Sequence, residues 1–231
     1  MSAKSITHAP IATLSKLDQC LINAKNADET KLLIEAGAYI NATDDDNEWT
    51  ALMWAKSVEQ TRLLLDAGAD VNAKNCCGDT VLMLVKSVEQ TKLLIEAGAD
   101  VNAKNEHGDT ALICAKSAEQ TKLLIDAGAD VNATNYYGNT ALMEAKTAEQ
   151  TKLLLDHGAD VNAKEDNGFT ALMYAKSDKQ RNLIEDAIKK MKGQSEIVPK
   201  ITKVSQKITF WAPEGSECEI IFFPVIPTVS M

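Results

Sequence analysis

The sequence predicts an all-α solenoid of about six helix-turn-helix units, and three observations carry that prediction. The motif Ala-Lys-Ser/Thr begins at Ala55, Ala115, Ala145 and Ala175, with Val85-Lys86-Ser87 between them, so it recurs every 30 residues; self-similarity at a period of about 20–50 residues marks a stacked repeat architecture. Each motif supplies a helix start, Ser57-x-x-Gln60 and its counterparts Ser87/Gln90, Ser117/Gln120, Thr147/Gln150 and Ser177/Gln180, followed by a Gly that stops the helix at 68, 98, 128 and 158. Leucines repeat in two rows, Leu52/Leu82/Leu112/Leu142/Leu172 and Leu64/Leu94/Leu124/Leu154, as an apolar core running through a stack requires.

Taken in order, residues 1–14 form an N-terminal extension. Leu14, Leu17, Leu21 and Ala24 make a helical stripe whose other side is Ser15, Lys16, Asp18 and Gln19, a polar cap over residues 15–38 with Asn26/Glu29 starting its second helix. In the next unit Thr50 caps a first helix over Ala51–Lys56, and Ser57 caps a second that stops before Gly68. The stretch Ala-Asp-Val-Asn-Ala-Lys-Asn-x-x-Gly then reads as an extended, hairpin-like finger. Burying Leu52, Met53, Leu64 and Leu65 is worth about 1.5–3 kcal/mol each, against about 1–2 kcal/mol per ordered backbone residue, so a unit is stable only against its neighbours. The array closes at Gln180–Lys192, a longer Lys-tipped helix where a finger would begin. Residues 193–231 hold four of the five prolines and form a separate tail. There Ile208–Trp211 and Cys218–Phe223 are expected to pair as a β-hairpin. The uncharged run Ile220–Ile226 either packs on the last repeat or acts as a docking element.

Gly138-Asn-Thr-Ala-Leu-Met-Glu-Ala145 and Gly158-Ala-Asp-Val-Asn-Ala163 closely resemble the ankyrin repeat, with its Gly-x-Thr-Pro-Leu-His-x-Ala-Ala and Gly-Ala-Asp-Val-Asn-Ala segments. The resemblance spans roughly residues 15–190 and implies an ankyrin-type solenoid. Two departures stand out. The unit is shorter than the usual period of about 33, implying a clipped helix-helix turn, and Thr-Ala-Leu-Met replaces Thr-Pro-Leu-His, removing the His hydrogen bonding that ties neighbouring units in the family. The resemblance also implies that Asn72, Asn102, Asn132 and Asn162 are asparagines of the kind hydroxylated when a suitable oxygenase is present.

Charge and chemistry narrow the function. Twenty-four Lys and Arg against 33 Asp and Glu give a net −9, which repels phosphate backbones and anionic lipid; no nucleic-acid or membrane partner is expected. Cysteines at 20, 76, 77, 114 and 218 match neither a disulfide framework nor a paired metal site and indicate the cytoplasm. Asn41 and Asn132 begin Asn-x-Thr triplets but read as structural. His8 lies in the extension, and His157 stands where an imidazole suits a helix C-terminus. His107 falls in one stacking row with Cys77. Cys76 and Cys77 on an extended finger are expected to point opposite ways, which disfavours a metal site there. No phosphate loop, nucleophile elbow or acid pair appears, so no enzyme, cofactor or metal is predicted.

Recognition remains. Compared unit by unit, the chain varies at the finger tips Cys76, Cys77, Glu106, His107, Tyr136 and Tyr137, after the finger glycines at Asp79, Asp109, Asn139 and Phe169, and on the first helix at Trp54, Leu84, Cys114, Glu144 and Tyr174; Trp49 belongs to the irregular first finger. The resemblance places these positions on the concave side, where ankyrin stacks bind partners, and aromatics are common interface anchors. The expectation is a monomeric, non-enzymatic protein-interaction module that binds a partner with a basic surface. Its rival is a secreted effector, accessory or inhibitor protein whose tail, residues 193–231, is the active docking element.

Overall fold

The computed structural model describes residues 15–201, 208–211 and 217–220, with side chains described up to residue 192. The chain divides into two compact units, residues 1–184 and 185–231. The first contains paired helices: α1 (Lys16–Ile22) with α2 (Ala27–Glu35), α3 (Ala51–Trp54) with α4 (Val58–Asp66), α5 (Val81–Leu84) with α6 (Val88–Glu96), α7 (Ala111–Cys114) with α8 (Ala118–Asp126), and α9 (Ala141–Glu144) with α10 (Ala148–Asp156). α11 (Ala171–Tyr174) then precedes α12 (Asp178–Ile201), which runs past Lys192 and across the boundary between the units.

From α3 onward, each first helix is a single turn that ends two residues before the lysine at which the sequence reading ended it. Ala55 is already extended, with ψ 121°. Two bonds explain the early stop. Lys56 N–H donates to the Gln60 side chain at 3.0 Å, and Ala55 C=O accepts from Gln90 of the next unit at 3.2 Å. Both backbone groups are therefore taken out of the helix, and three residues suffice to connect it to Ser57-capped α4. Thr50 does not act as a side-chain cap; its hydroxyl is buried without a partner, as are those of Thr80 and Thr140, and only Thr110 reaches a helical N–H. The serines behave as predicted: Ser57, Ser87, Ser117 and Ser177 Oγ, with Thr147 Oγ1, accept from the N–H three residues on. At the other end Ala69 N–H reaches back to Leu64 C=O around Gly68, whose φ of 88° is left-handed.

First helices touch first helices and second helices touch second helices along the array from α1 to α11. Leu52, Leu82, Leu112 and Leu142 form one buried row, and Leu64, Leu94, Leu124 and Leu154 another; Leu65 is only half-buried. Leu21, Ile22 and Ala24 start the core beneath an α1 closed by a reciprocal Ser15–Asp18 capping box. The methionine row Met53, Met83 and Met143 is buried, whereas Met173 in the last unit is 67% exposed.

What ties units together is a glutamine absent from the expected bonding scheme. Gln60 Nε2 donates to Ala24 C=O and to Thr30 Oγ1 of the preceding unit. Gln90, Gln120, Gln150 and Gln180 repeat the pair of bonds to Ala55 and Thr61, Val85 and Thr91, Ala115 and Thr121, and Ala145 and Thr151, at 2.8–3.4 Å. Each of these threonines spends its single O–H on a carbonyl four residues back, as Thr61 does on Ser57, so its oxygen is left to accept the amide.

The fingers stack by a second set of bonds. Each is a tight turn more than an extended hairpin: Asn75 Oδ1 accepts from both Cys77 N–H and Asp79 N–H, and the strand-like contact shrinks to single bridges such as Lys74–Thr80. Between fingers, Cys76, Glu106, Tyr136 and Asp166 N–H donate to Asn47, Cys77, His107 and Tyr137 C=O. Nearer the helices, Asn72, Asn102 and Asn132 each donate to the glycine carbonyl of the next unit and accept from the aspartate N–H two residues after that glycine. Glycine at the tips is a matter of space as well as of φ. A Cβ on Gly108 would lie 2.8 Å from Tyr136 N, while one on Gly168, which ends the finger row, would meet nothing.

In the second unit β1 (Ile208–Trp211) pairs antiparallel with β2 (Glu217–Ile220), with Ile208 opposite Ile220. The second strand is shorter than the expected Cys218–Phe223, and the remainder of the apolar run, like residues 1–14, lies outside the described residues.

Gln120→Leu is expected to destabilise the protein by about 2–4 kcal/mol in urea denaturation, because buried Thr91 Oγ1 and part-buried Val85 C=O and Lys116 N–H lose their partners. Gly108→Ala should cost about 3 kcal/mol and Gly168→Ala about 1 kcal/mol, the difference measuring the close approach of fingers over the shared cost of a positive φ.

Candidate functional site

Each single-turn helix from α3 to α9 buries its first three residues and turns the fourth off the core, and α11, which buries only Ala171, continues the register, so Trp54, Leu84, Cys114, Glu144 and Tyr174 fall in a row. Trp54 and Tyr174 are exposed and the middle three are half-buried. The residue five positions earlier, just after the finger turn, lies alongside. Trp49 and Trp54 rings sit 4.7 Å apart at 37°, and Phe169 meets Tyr174 edge-on at 6.3 Å. The row therefore carries an aromatic pair in its first single-turn unit and another in its last.

At the tips Cys76, Cys77, Glu106, His107, Tyr136 and Tyr137 are all exposed, the two tyrosines by 68% and 55%. Asp79 and Asp109 have a different role. Their carboxylates accept from Asn105 and Asn135 of the following finger at 2.7 and 2.8 Å, so both are committed to stacking. Asn139 is the next member of this row, but Glu165 replaces the donor asparagine opposite it, and Asn139 Oδ1 is buried without a partner. Glu165 closes its own finger, accepting from Asn167 and Phe169 N–H. Cys76 and Cys77 do not point apart: their sulfurs are 3.8 Å from one another, because the tip turns.

The sequence matches the family of ankyrin repeats, three copies, over residues 56–135, 81–165 and 116–194. Among solved structures it is similar to the ankyrin repeat domain of Bcl-3, described as a unique member of the IkappaB protein family, at 32% identity and a TM-score of 0.59 over 73% of this chain and 81% of that one. The chain belongs to the ankyrin repeat family. No curated protein matches it. Ankyrin repeats are in general protein-protein interaction modules.

Within this ankyrin repeat array the structure reveals a row that the sequence reading used only as a repeat marker. Lys56, Lys86, Lys116, Lys146 and Lys176 follow the first helices, one per unit, and all five are exposed. None takes part in an ion pair among the described residues. The spacing of 30 was the available signal, but that these side chains share a face required the fold. Cys114 lies between finger and lysine row: burial above all, then Asp109, pushes its thiol up to about 11, while Lys116 and Lys146 draw it down. Cys76 is also raised, chiefly by its hydrogen bond with Cys77. Both are held as neutral thiols at neutral pH. Among the described residues no group of three His, Cys, Asp or Glu side chains is placed to hold a metal ion. His157 Nδ1 bonds Leu153 C=O at the end of α10, a structural role. No described helix is long and apolar enough to cross a membrane.

The Glu165 carboxyl is held below the ordinary glutamate value of 4.5, mainly by the Phe169 N–H and with help from Asn167, against the opposing effect of burial. A lowered folded value means that its stabilisation is present above the unfolded value and lost as pH falls through the folded one. Urea midpoints of the ankyrin array are expected to drop below about pH 4.5, and Glu165→Gln should flatten that acid limb.

Proposed function

We propose that this protein is a non-enzymatic adaptor that binds a partner protein across the face made by its first helices and finger tips. One observation carries the reading. Apart from the lysine that follows each first helix, the positions of this face that repeat from unit to unit are occupied by buried or bond-forming side chains, whereas its other exposed positions vary between units and hold Trp54, Tyr136, Tyr137, Phe169 and Tyr174. A row of distinct exposed side chains on a bonded scaffold favours recognition of one partner. The finger tips carry exposed negative charge at Asp45, Asp46, Glu106 and Asp166, to which a basic patch of the partner is matched. Asp79 and Asp109 contribute by holding the fingers in register. The same reading has the protein act as a monomer in the cytoplasm, where its cysteines stay thiols.

Affinity capture from source-cell lysate tests this. The full chain is compared with Trp54→Ala/Tyr137→Ala/Tyr174→Ala and with a chain ended after Ile201. The triple variant is expected to melt at the same temperature and to lose the partner by about 2 kcal/mol or more, while the shortened chain keeps it. Loss in the shortened chain alone would make the tail the docking element and overturn the proposal.

A further inference from the structure

The lysine row carries a sign opposite to that of the whole molecule and of the finger tips beside it. A chain of net charge −9 places five exposed lysines, Lys56 to Lys176, in single file with one to each unit and no ion-pair partner among the described residues. They are close enough to act on one another. Burial first, and then the positive charges of Lys116 and Lys176, hold the Lys146 ammonium below the ordinary lysine value. Glu144 offsets part of this crowding of like charges, and an anionic ligand lying along the row relieves the rest.

The ground beside the lysines mixes apolar side chains with a few polar ones, Asn23, Ser87 and Gln90. Met53, Ala55, Lys56, Leu84, Val85 and Lys86 line a shallow groove of about 360 Å³, and Trp54 with Lys56 borders a smaller one against Ile22 and Ala24. Stacked helices stand about 8–10 Å apart, and a chain extended as polyproline II advances about 3.1 Å per residue with three residues per turn, so that every third side chain faces the same way. One unit therefore matches about three residues of an extended chain. We infer that the row Lys56–Lys86–Lys116–Lys146–Lys176 is the docking track for an extended acidic segment of the partner protein, with a carboxylate at every third residue and apolar side chains against Trp54, Leu84 and Tyr174. This rests on the reading that the face binds a protein and adds the chemistry of what it binds. A polyphosphate chain fits less well, because the exposed acidic finger tips and the net negative charge repel a continuous run of phosphates.

The probe is a fluorescent peptide of five Glu-Leu-Ser triplets, compared with a peptide of the same composition whose glutamates are consecutive and with an oligothymidine of equal length. The triplet peptide is expected to bind the full chain most tightly and more weakly as salt rises. Lys86→Gln/Lys116→Gln/Lys146→Gln should weaken it at least tenfold without lowering the melting temperature. The same charge change on the second helices, Lys92→Gln/Lys122→Gln/Lys152→Gln, should alter it less than twofold. Equal loss in both variants, no loss in the first, equal binding of the clustered peptide, or tighter binding of oligothymidine would each overturn the inference. If the lysate partner is captured undiminished by the Lys86/Lys116/Lys146 variant yet lost by the aromatic variant, the docking track fails while the proposed function stands.

Discussion

Every other feature of the array depends on a buried amide handed from each unit to the one before it. Gln60, Gln90, Gln120, Gln150 and Gln180 are 2–6% exposed, and their threonine acceptors about 1%. In such a setting an unpaired N–H costs more than a paired one contributes, so the bond acts as a constraint on geometry more than as a source of stability. Both amide hydrogens have acceptors in the preceding unit, and at Gln60, Gln120, Gln150 and Gln180 the amide oxygen caps its own helix turn. The glutamine thus fixes the start of the second helix, the end of the preceding first helix and the offset between units at once. A repeat shorter than the family's usual one follows, because a single-turn helix and a three-residue link are all that these bonds leave room for.

Fingers obey a looser version of the same rule. Backbone N–H to C=O bonds run from tip to tip whatever the side chains are, which is why Cys, Glu, Tyr and Asp can follow one another at residues 76, 106, 136 and 166. Beneath the tips the rule is stricter, and Asp79–Asn105 and Asp109–Asn135 give way to Asn139 and Glu165 only at the last step, where the finger row ends. Stacking therefore divides the surface into positions that hold the array and positions free to differ. The aromatic pairs and tyrosine tips occupy the second kind, as a recognition surface needs.

Much of this was legible in the sequence because the repeat averages over its own noise. The period, the serine caps, the glycine stops and the two leucine rows each recur often enough to be read without a structure, and helices, caps and core followed from them. The less legible residues were those with two roles. Gln60 and its counterparts read as caps, and their cross-unit bonds involve residues 29–36 positions away that no local pattern connects. Asp79 and Asp109 looked variable because the row changes at Asn139, although both bond a neighbouring finger. Cys76 and Cys77 were assigned opposite directions by strand alternation, which a tight turn does not obey.

The sequence by itself determined that this is an ankyrin-type stack with a set of positions whose residues vary from unit to unit, since periodicity, caps and apolar spacing are local and repeat. Only the tertiary structure decided which side chains share a face. Residues separated by one period become neighbours once units are stacked, so five scattered lysines turn into a charged track and an acidic protein acquires a basic line. That juxtaposition comes from the offset between units, set by buried bonds whose partners lie in different repeats.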